Sequence, residues 1–200
     1  MNTDDVLDLF RESGAMLEGH FELSSGLHSD RYFQCALLLE DPRRAEKLAR
    51  ELASRIDMQI DCVIGPALGA VTWAYEMARA IGVRGIFSER KNGEMQLRRG
   101  FSFQPGERVL VCEDVLTTGG SAKEVIRLVK EHGAIPVGVG SILNRSGVNP
   151  FDEFDLPLFA LAEVEAKTWD PSECPLCAAG SVAEKPGSKL VASPGEGASG

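Results

Sequence analysis

Residues 109–121 read VLVCEDVLTTGGS, and the fold is decided there. The unbroken apolar run 109–112 has the length and branched side chains of a strand buried on both faces. It delivers two consecutive acids, Glu113 and Asp114, and then a Thr-Thr-Gly-Gly-Ser loop, 117–121, that opens a helix over 122–132. Val125, Ile126, Leu128 and Val129 share one face of that helix, and Gly133 ends it. Strand, loop and helix in that order form half of a parallel crossover unit.

Working outward, the same pattern repeats. Upstream, 60–64 (IDCVI) is a short apolar strand ending at Gly65-Pro66, followed by an alanine-rich helix over 70–81, a stop at Gly82 and a strand over 83–87. Downstream come strands over 137–143 and around 158–161. Right-handed crossovers between such strands make a doubly wound α/β domain, a mainly parallel sheet with helices on both faces. Nearer the start, Val6, Leu7 and Phe10 predict a helix over 3–14, the segment 21–35 with its Ser25-Gly26 turn predicts a hairpin or two short strands, and Asp41-Pro42 opens a helix to about residue 56. The expected organisation is one domain over 1–189 with a small N-terminal hood of about 1–40. Residues 178–200, rich in Gly, Ser, Ala and Pro without apolar period, lead to an expected disordered tail over 190–200.

The chain has 200 residues and a formal charge of −9. That balance disfavours nucleic acid, whose nonspecific affinity needs net positive charge. No apolar run approaches the roughly 20 residues of a membrane span, and the start, MNTDDVLDLF, lacks the basic, then apolar, pattern of a secretory signal. The reading is a cytoplasmic protein without a membrane partner, and in that compartment the Asn144-Arg145-Ser146 glycosylation pattern carries no weight. Cys35, Cys62 and Cys112 are isolated. Cys174 and Cys177 form a CPLC pair, but no second CxxC exists and His20, His28 and His132 lie far from it in sequence, so the pair reads as a turn with two reduced thiols, with a redox or metal role as the alternative, and no residue is named as a metal ligand.

The loop 117–121 can offer backbone N–H groups and three hydroxyls at a helix N-terminus, which suits a phosphate monoester. It is neither GxxxxGK[ST] nor GxGxxG. Two acids beside a phosphate cradle would repel the phosphate unless they faced something else, a ribose diol or a Mg²⁺ shell, so the spacing suggests a ribose 5-phosphate. The plain alternative is a Thr/Ser/Gly helix cap after two exposed acids. Residues 89–108 carry five basic residues, Arg90, Lys91, Arg98, Arg99 and Arg108, against three acids. That segment reads as a mobile loop or a hairpin.

The stretch 109–121 resembles the phosphoribosyl-diphosphate-binding motif of the type I phosphoribosyltransferases. Within that family the chain is similar, over about 21–189, to the members that use orotate. FELSSGLHSDRYFQC (21–35) resembles the segment that frames orotate, with Leu27 and His28 where the family often carries a Lys and with Tyr32-Phe33 as core or interface by default. SERKNGEMQLRRGF (88–101) resembles the flexible catalytic loop; Arg90 and Lys91 match the pair that reaches into the neighbouring subunit's site, and Arg98-Arg99 stand where some members have other cations. VGVGSILNRSG (137–147) ends in Arg145, matching the arginine that grips the orotate carboxylate. GPALGA (65–70) matches the diphosphate loop by position, without the Lys of some members, leaving the backbone N–H groups to act.

The resemblance implies transfer of the 5-phosphoribosyl group from phosphoribosyl diphosphate to orotate, giving orotidine 5′-phosphate and diphosphate in pyrimidine biosynthesis. It implies Asp114, Lys91 and Arg90 as catalytic residues. The implied substrate-binding set is Glu113, Asp114, Val115, Leu116, Thr117, Thr118, Gly119, Gly120, Ser121 and Arg145, with Arg90 and Lys91. It also implies Mg²⁺ bound mainly through phosphoribosyl diphosphate, and a homodimer with shared active sites. The alternatives are a purine phosphoribosyltransferase, which Arg145 and the Ser25-Gly26 segment disfavour, and a non-catalytic phosphoribosyl-diphosphate sensor, which the acidic balance disfavours.

Overall fold

The computed structural model describes residues 1–23, 25–165 and 167–186; the tail expected over 190–200 lies outside the described residues. Helix α1, Thr3–Glu12, begins with a reciprocal cap in which Asn2 Oδ1 accepts from Asp5 N at 2.9 Å and Asp5 Oδ2 accepts from Asn2 N at 2.8 Å. Strands β1, Met16–Glu22, and β2, His28–Phe33, follow, then a short helix α2, Cys35–Leu39, which the sequence reading did not separate. Helix α3, Pro42–Ala53, starts on Pro42 with Asp41 capping it, and buries Ala45, Leu48, Ala49 and Leu52. Strand β3, Cys62–Pro66, leads to α4, Gly69–Ile81, which stops at left-handed Gly82.

Strands β4, Arg84–Lys91, and β5, Glu94–Leu97, are antiparallel, joined through Asn92 and Gly93, both at positive φ (55° and 87°). That is the two-residue hairpin turn whose twist suits its strands. The basic segment is therefore a hairpin arm in its first half. Strand β6, Arg108–Leu116, then α5, Gly120–Glu131, β7, Ile135–Asn144, and β8, Leu158–Glu163, complete the main sheet, in the order β5-β4-β3-β6-β7-β8 with only β5 antiparallel. One apolar cluster joins Phe10, Leu48, Trp73 and Leu110, and another joins Val109, Val111, Val125, Ile126 and Phe151, so helices cover both faces as expected. Cys35, Cys62 and Cys112 are small buried members of these clusters.

Strand β6 runs four residues beyond 112. Its ladder to β7 continues through Glu113↔Ser141, Val115↔Leu143 and Leu116↔Asn144. Backbone pairing does not depend on side-chain polarity, so an apolar run marks only part of a strand whose end is functional.

The described residues form two compact units, one of 1–16 and 33–165, the other of 17–32 and 167–186. Helices α1 and α2 belong to the first. The second holds a three-stranded sheet, β1-β2-β9, in which β9, Thr168–Trp169, pairs antiparallel with His28 and Ser29. A last short helix, α6, Pro175–Ala178, follows. In this unit Glu184 N donates to His20 O at 2.8 Å and Glu22 N donates to Glu184 O at 2.7 Å, which bind the late segment to β1. Among the described residues no helix is long and apolar enough to cross a membrane.

Candidate active site

The carboxyl end of β6 is central in the sheet, where open α/β sheets hold ligands. Asp114 Oδ1 accepts from Val115 N at 2.9 Å, and its main-chain oxygen accepts from Ser141 Oγ at 3.3 Å. Gly69 lies so close that a Cβ there would stand 3.3 and 3.4 Å from the Asp114 carboxylate oxygens. The segment 65–70 is thus folded back onto the acid, tied by Ala67 N donating to Ser88 O at 2.8 Å. Burial pushes the Glu113 carboxyl up to about 9, with the adjacent Asp114 charge as the second cause. Burial also raises Asp114. Both keep a partly open face while protein surrounds the rest. Near neutral pH the pair retains a proton, which a cation or a developing positive charge would displace.

Beyond the acids, Thr117 and Thr118 are exposed and Gly119 turns the chain into α5 at φ 73°. A Cβ on Gly119 would meet the Phe151 ring at 3.1 Å and Pro150 at 3.2 Å, so only glycine fits both the angle and the space. At Gly120 the nearest atom to such a Cβ is Thr118 Oγ1 at 3.6 Å, which leaves that face open. No side chain caps α5, and none caps α4, whose N-cap is the exposed Leu68. Two helix N-termini with uncommitted donors therefore open at this end of the sheet, and Asp114 adjoins Gly69 at the start of one and lies two residues before the end of the strand that feeds the other.

Of the residues singled out in sequence, Glu113, Asp114, Val115, Leu116, Thr117, Thr118, Gly119, Gly120 and Ser121 form one continuous element. Leu116 is buried at 1% exposure and its oxygen accepts from Arg145 N at 2.8 Å, so it offers no side chain to a ligand. Arg145 is brought beside this element by that bond. The loop carrying it is fixed by buried Asn144, whose Nδ2 donates to Val148 O at 3.1 Å and whose Oδ1 accepts from Ser146 N at 3.0 Å. The Arg145 guanidinium lies 5.2 Å from the centre of the Phe33 ring, which meets Phe10 edge-on.

Arg90 and Lys91 are not brought to the acids. Arg90 donates to Glu124 Oε1 on α5 at 2.9 Å and to Gly93 O at 2.6 Å. Lys91 is exposed at the tip of the arm, with no ion pair among the described residues. Arg99 binds Glu89 through two 2.9 Å bonds, and Arg98 lies 3.7 Å from the same acid, so these cations are matched locally.

The structure adds to the reading of the CPLC pair. Cys174 and Cys177 are free thiols, and within the second unit the fold sets them against His20 and His28. His28 is buried and turned onto His20 and Cys177. Distance in sequence hid the group; the usable signal was two histidines straddling a predicted hairpin in a chain that also has a CxxC. Ser141 and Phe151, which support the acids and the loop, gave no signal in sequence.

The chain matches the family described as "Phosphoribosyl transferase domain" over residues 38–156. It is 52% identical over 192 residues to orotate phosphoribosyltransferase of Desulforamulus reducens, covering 96% of this chain and 100% of that protein. Among solved structures it resembles orotate phosphoribosyltransferase from Aeropyrum pernix, at TM-score 0.65 and 25% identity over 80% of this chain and 94% of that one. It also resembles orotate phosphoribosyltransferase of Mycobacterium tuberculosis H37Rv in complex with inorganic phosphate, at TM-score 0.62 and 26% identity, with 80% and 94% covered.

Proposed function

This chain belongs to the orotate phosphoribosyltransferases of the phosphoribosyl transferase family, and from that premise we propose which of its residues hold each part of the reaction. The reaction moves the 5-phosphoribosyl group from phosphoribosyl diphosphate to orotate, with release of diphosphate. Positive charge develops on the ribose carbon as diphosphate leaves. Glu113 and Asp114 hold the ribose diol and put negative charge opposite that carbon. The N-terminus of α5, with Thr117, Thr118, Gly119, Gly120 and Ser121, takes the 5-phosphate. Segment 65–70 and the start of α4 take the diphosphate through backbone N–H groups.

The observation that carries this reading is a half-buried acid pair, raised in pKa and adjoining two uncapped helix N-termini. Phosphate bound to the M. tuberculosis relative supports an anion cradle in this fold. Arg145, stacked on Phe33, meets the orotate carboxylate through its fork. The partly open carboxyl oxygens suit a hard cation; Mg²⁺ arriving with phosphoribosyl diphosphate would neutralise the leaving group. Arg90 and Lys91, on an arm where Arg90 pairs with Glu124 rather than with Glu113 or Asp114, serve the site of a second copy in a homodimer, and arm closure excludes water. The enzyme works in the cytoplasm, without nucleic acid or membrane.

The deciding assay measures diphosphate release with orotate, adenine and hypoxanthine side by side. Orotate alone should support turnover; a comparable rate with either purine would sink the assignment of Arg145. The shared site has its own test. Mixing a Lys91→Ala chain with an Asp114→Asn chain should restore roughly a quarter of wild-type activity, because about half the dimers are mixed and each has one intact site of two. Heterodimers that stay inactive would place the arm's action within its own subunit.

A further inference from the structure

We propose that His20, His28, Cys174 and Cys177 form a structural zinc site within the second unit. Their ligand atoms all lie within 4.8 Å of one another. His20 Nε2 is 2.9 Å from His28 Nδ1, 3.4 Å from Cys174 Sγ and 3.7 Å from Cys177 Sγ, and Cys177 Sγ is 3.3 Å from His28 Nδ1. Zn–N bonds of about 2.05 Å and Zn–S bonds of about 2.3 Å place tetrahedral ligands at edges of roughly 3.3–3.8 Å. The three sulfur contacts fall inside that range, the imidazole pair needs to open by a few tenths of an ångström, and the widest separation in the group, within 4.8 Å, needs to close by up to about 1 Å.

The chemistry of the set is selective. Two imidazoles and two thiols are the Cys₂His₂ complement that prefers zinc over the hard, oxygen-seeking cations. His20, His28 and Cys174 are 7%, 9% and 2% exposed, so the group is enclosed rather than displayed. A surface turn with two free thiols has no reason to bury two histidines against them. Four protein ligands fill a tetrahedron and leave no position for water or substrate, which makes the site structural.

What it holds is also clear. Cys174 and Cys177 are 154 and 157 residues from His20 in the chain. The unit that contains them has a two-residue β9, a four-residue α6 and few large buried side chains, chiefly Phe21 and Leu23. Units this small close a core poorly without a staple such as a disulfide or a metal, and Cys174 and Cys177 are free thiols. Zinc would clamp the β1–β2 hairpin to the late segment. This inference concerns a different unit from the acids and does not depend on which base the enzyme uses.

The test takes the full-length chain, expressed with added zinc and purified without chelator. Elemental analysis should find one zinc per chain, and the Cys174→Ser/Cys177→Ser double variant should hold close to none. To keep the outcome independent of folding in variants, the wild-type protein is stripped and titrated with Co²⁺ alone. It should develop thiolate-to-cobalt charge transfer and the intense visible bands of tetrahedral cobalt, saturating at one equivalent. His28→Cys should keep the metal with a spectrum shifted toward a three-thiolate site, whereas His28→Ala should lose it. The proposal is overturned by a wild-type chain that takes up neither zinc nor cobalt, by weak octahedral cobalt bands, by stoichiometric iron instead of zinc, or by an intact mass two hydrogens light that shows a Cys174–Cys177 disulfide.

Discussion

The end of β6 and the face of the β1–β2 hairpin both enclose groups that are expensive to bury, and they settle that burial in opposite ways. At β6, two oxygen acids adjacent in sequence stand beside uncommitted helix donors. Among the described residues no cation pairs with either acid, and burial raises both. At the hairpin, soft nitrogen and sulfur groups from both ends of the chain contact one another. The first arrangement is completed by what arrives; the second is complete within the chain once a cation joins it. Acids left partly open beside free donors mark a place for turnover, and enclosed groups that contact one another mark a place for holding shape.

The largest expected effect falls on the open arrangement. Asp114→Asn should lower kcat by at least ~10², because preorganised charge opposite a developing cation commonly contributes a few kcal/mol. The fold should be unchanged, and unaltered turnover would remove Asp114 from the chemistry. Arg145→Ala should raise KM for orotate about 10- to 100-fold, the equivalent of losing a charge-assisted bond of roughly 1.5–3 kcal/mol, while KM for phosphoribosyl diphosphate stays nearly constant. Equal losses for both substrates would make the arginine a scaffold residue, and the contrast between the two regions would blur.

Gly119→Ala and Gly120→Ala separate fold from ligand at neighbouring positions. The first forces a side chain into left-handed backbone and onto Phe151, so it should destabilise the protein by about 1–3 kcal/mol in urea unfolding. The second should leave stability almost unchanged and weaken phosphoribosyl-diphosphate binding. The smallest effect concerns Glu113. Its folded pKa of about 9 lies above the ordinary 4.5, so the folded state holds an extra proton between those values and stability falls as pH rises through that window. Glu113→Gln should therefore gain ~0.5–2 kcal/mol over the wild type near pH 8, at the expense of activity, and the gain should fade near pH 4. A difference that does not vary with pH would show that Glu113 ionises freely in the free protein.

The two regions also differ in how far sequence could reach them. The apolar run 109–112, the acids and the Thr-Thr-Gly-Gly-Ser loop lie in one continuous segment, so local rules for strands, caps and phosphate binding all apply to it. The true end of β6 at Leu116 escaped because its last residues are paired through their backbone to β7 and two of them are charged. The segment 89–108 reads as a mobile loop or a hairpin; Asn92-Gly93 decides for the hairpin, as the positive φ values at both residues show. His20, His28, Cys174 and Cys177 needed two distant segments brought together, which no local rule supplies. Arg145 was marked by resemblance, while its support from Asn144 and Phe33 depends on burial that only the fold creates.

The order of strands also governs when the acids become a site. β6 lies between β3, which precedes it by the whole of α4 and the arm, and β7, which follows α5. A ribosome that has delivered the chain through α5 has delivered both acids and every residue of the loop. It has not delivered β7, whose backbone holds the stretch from Glu113 to Leu116, nor Arg145 behind it. Parallel pairing across such separations is slow compared with local structure. The motif is thus synthesised long before it can work, and a product truncated after α5 would display the whole recognisable sequence on a strand with one flank bare.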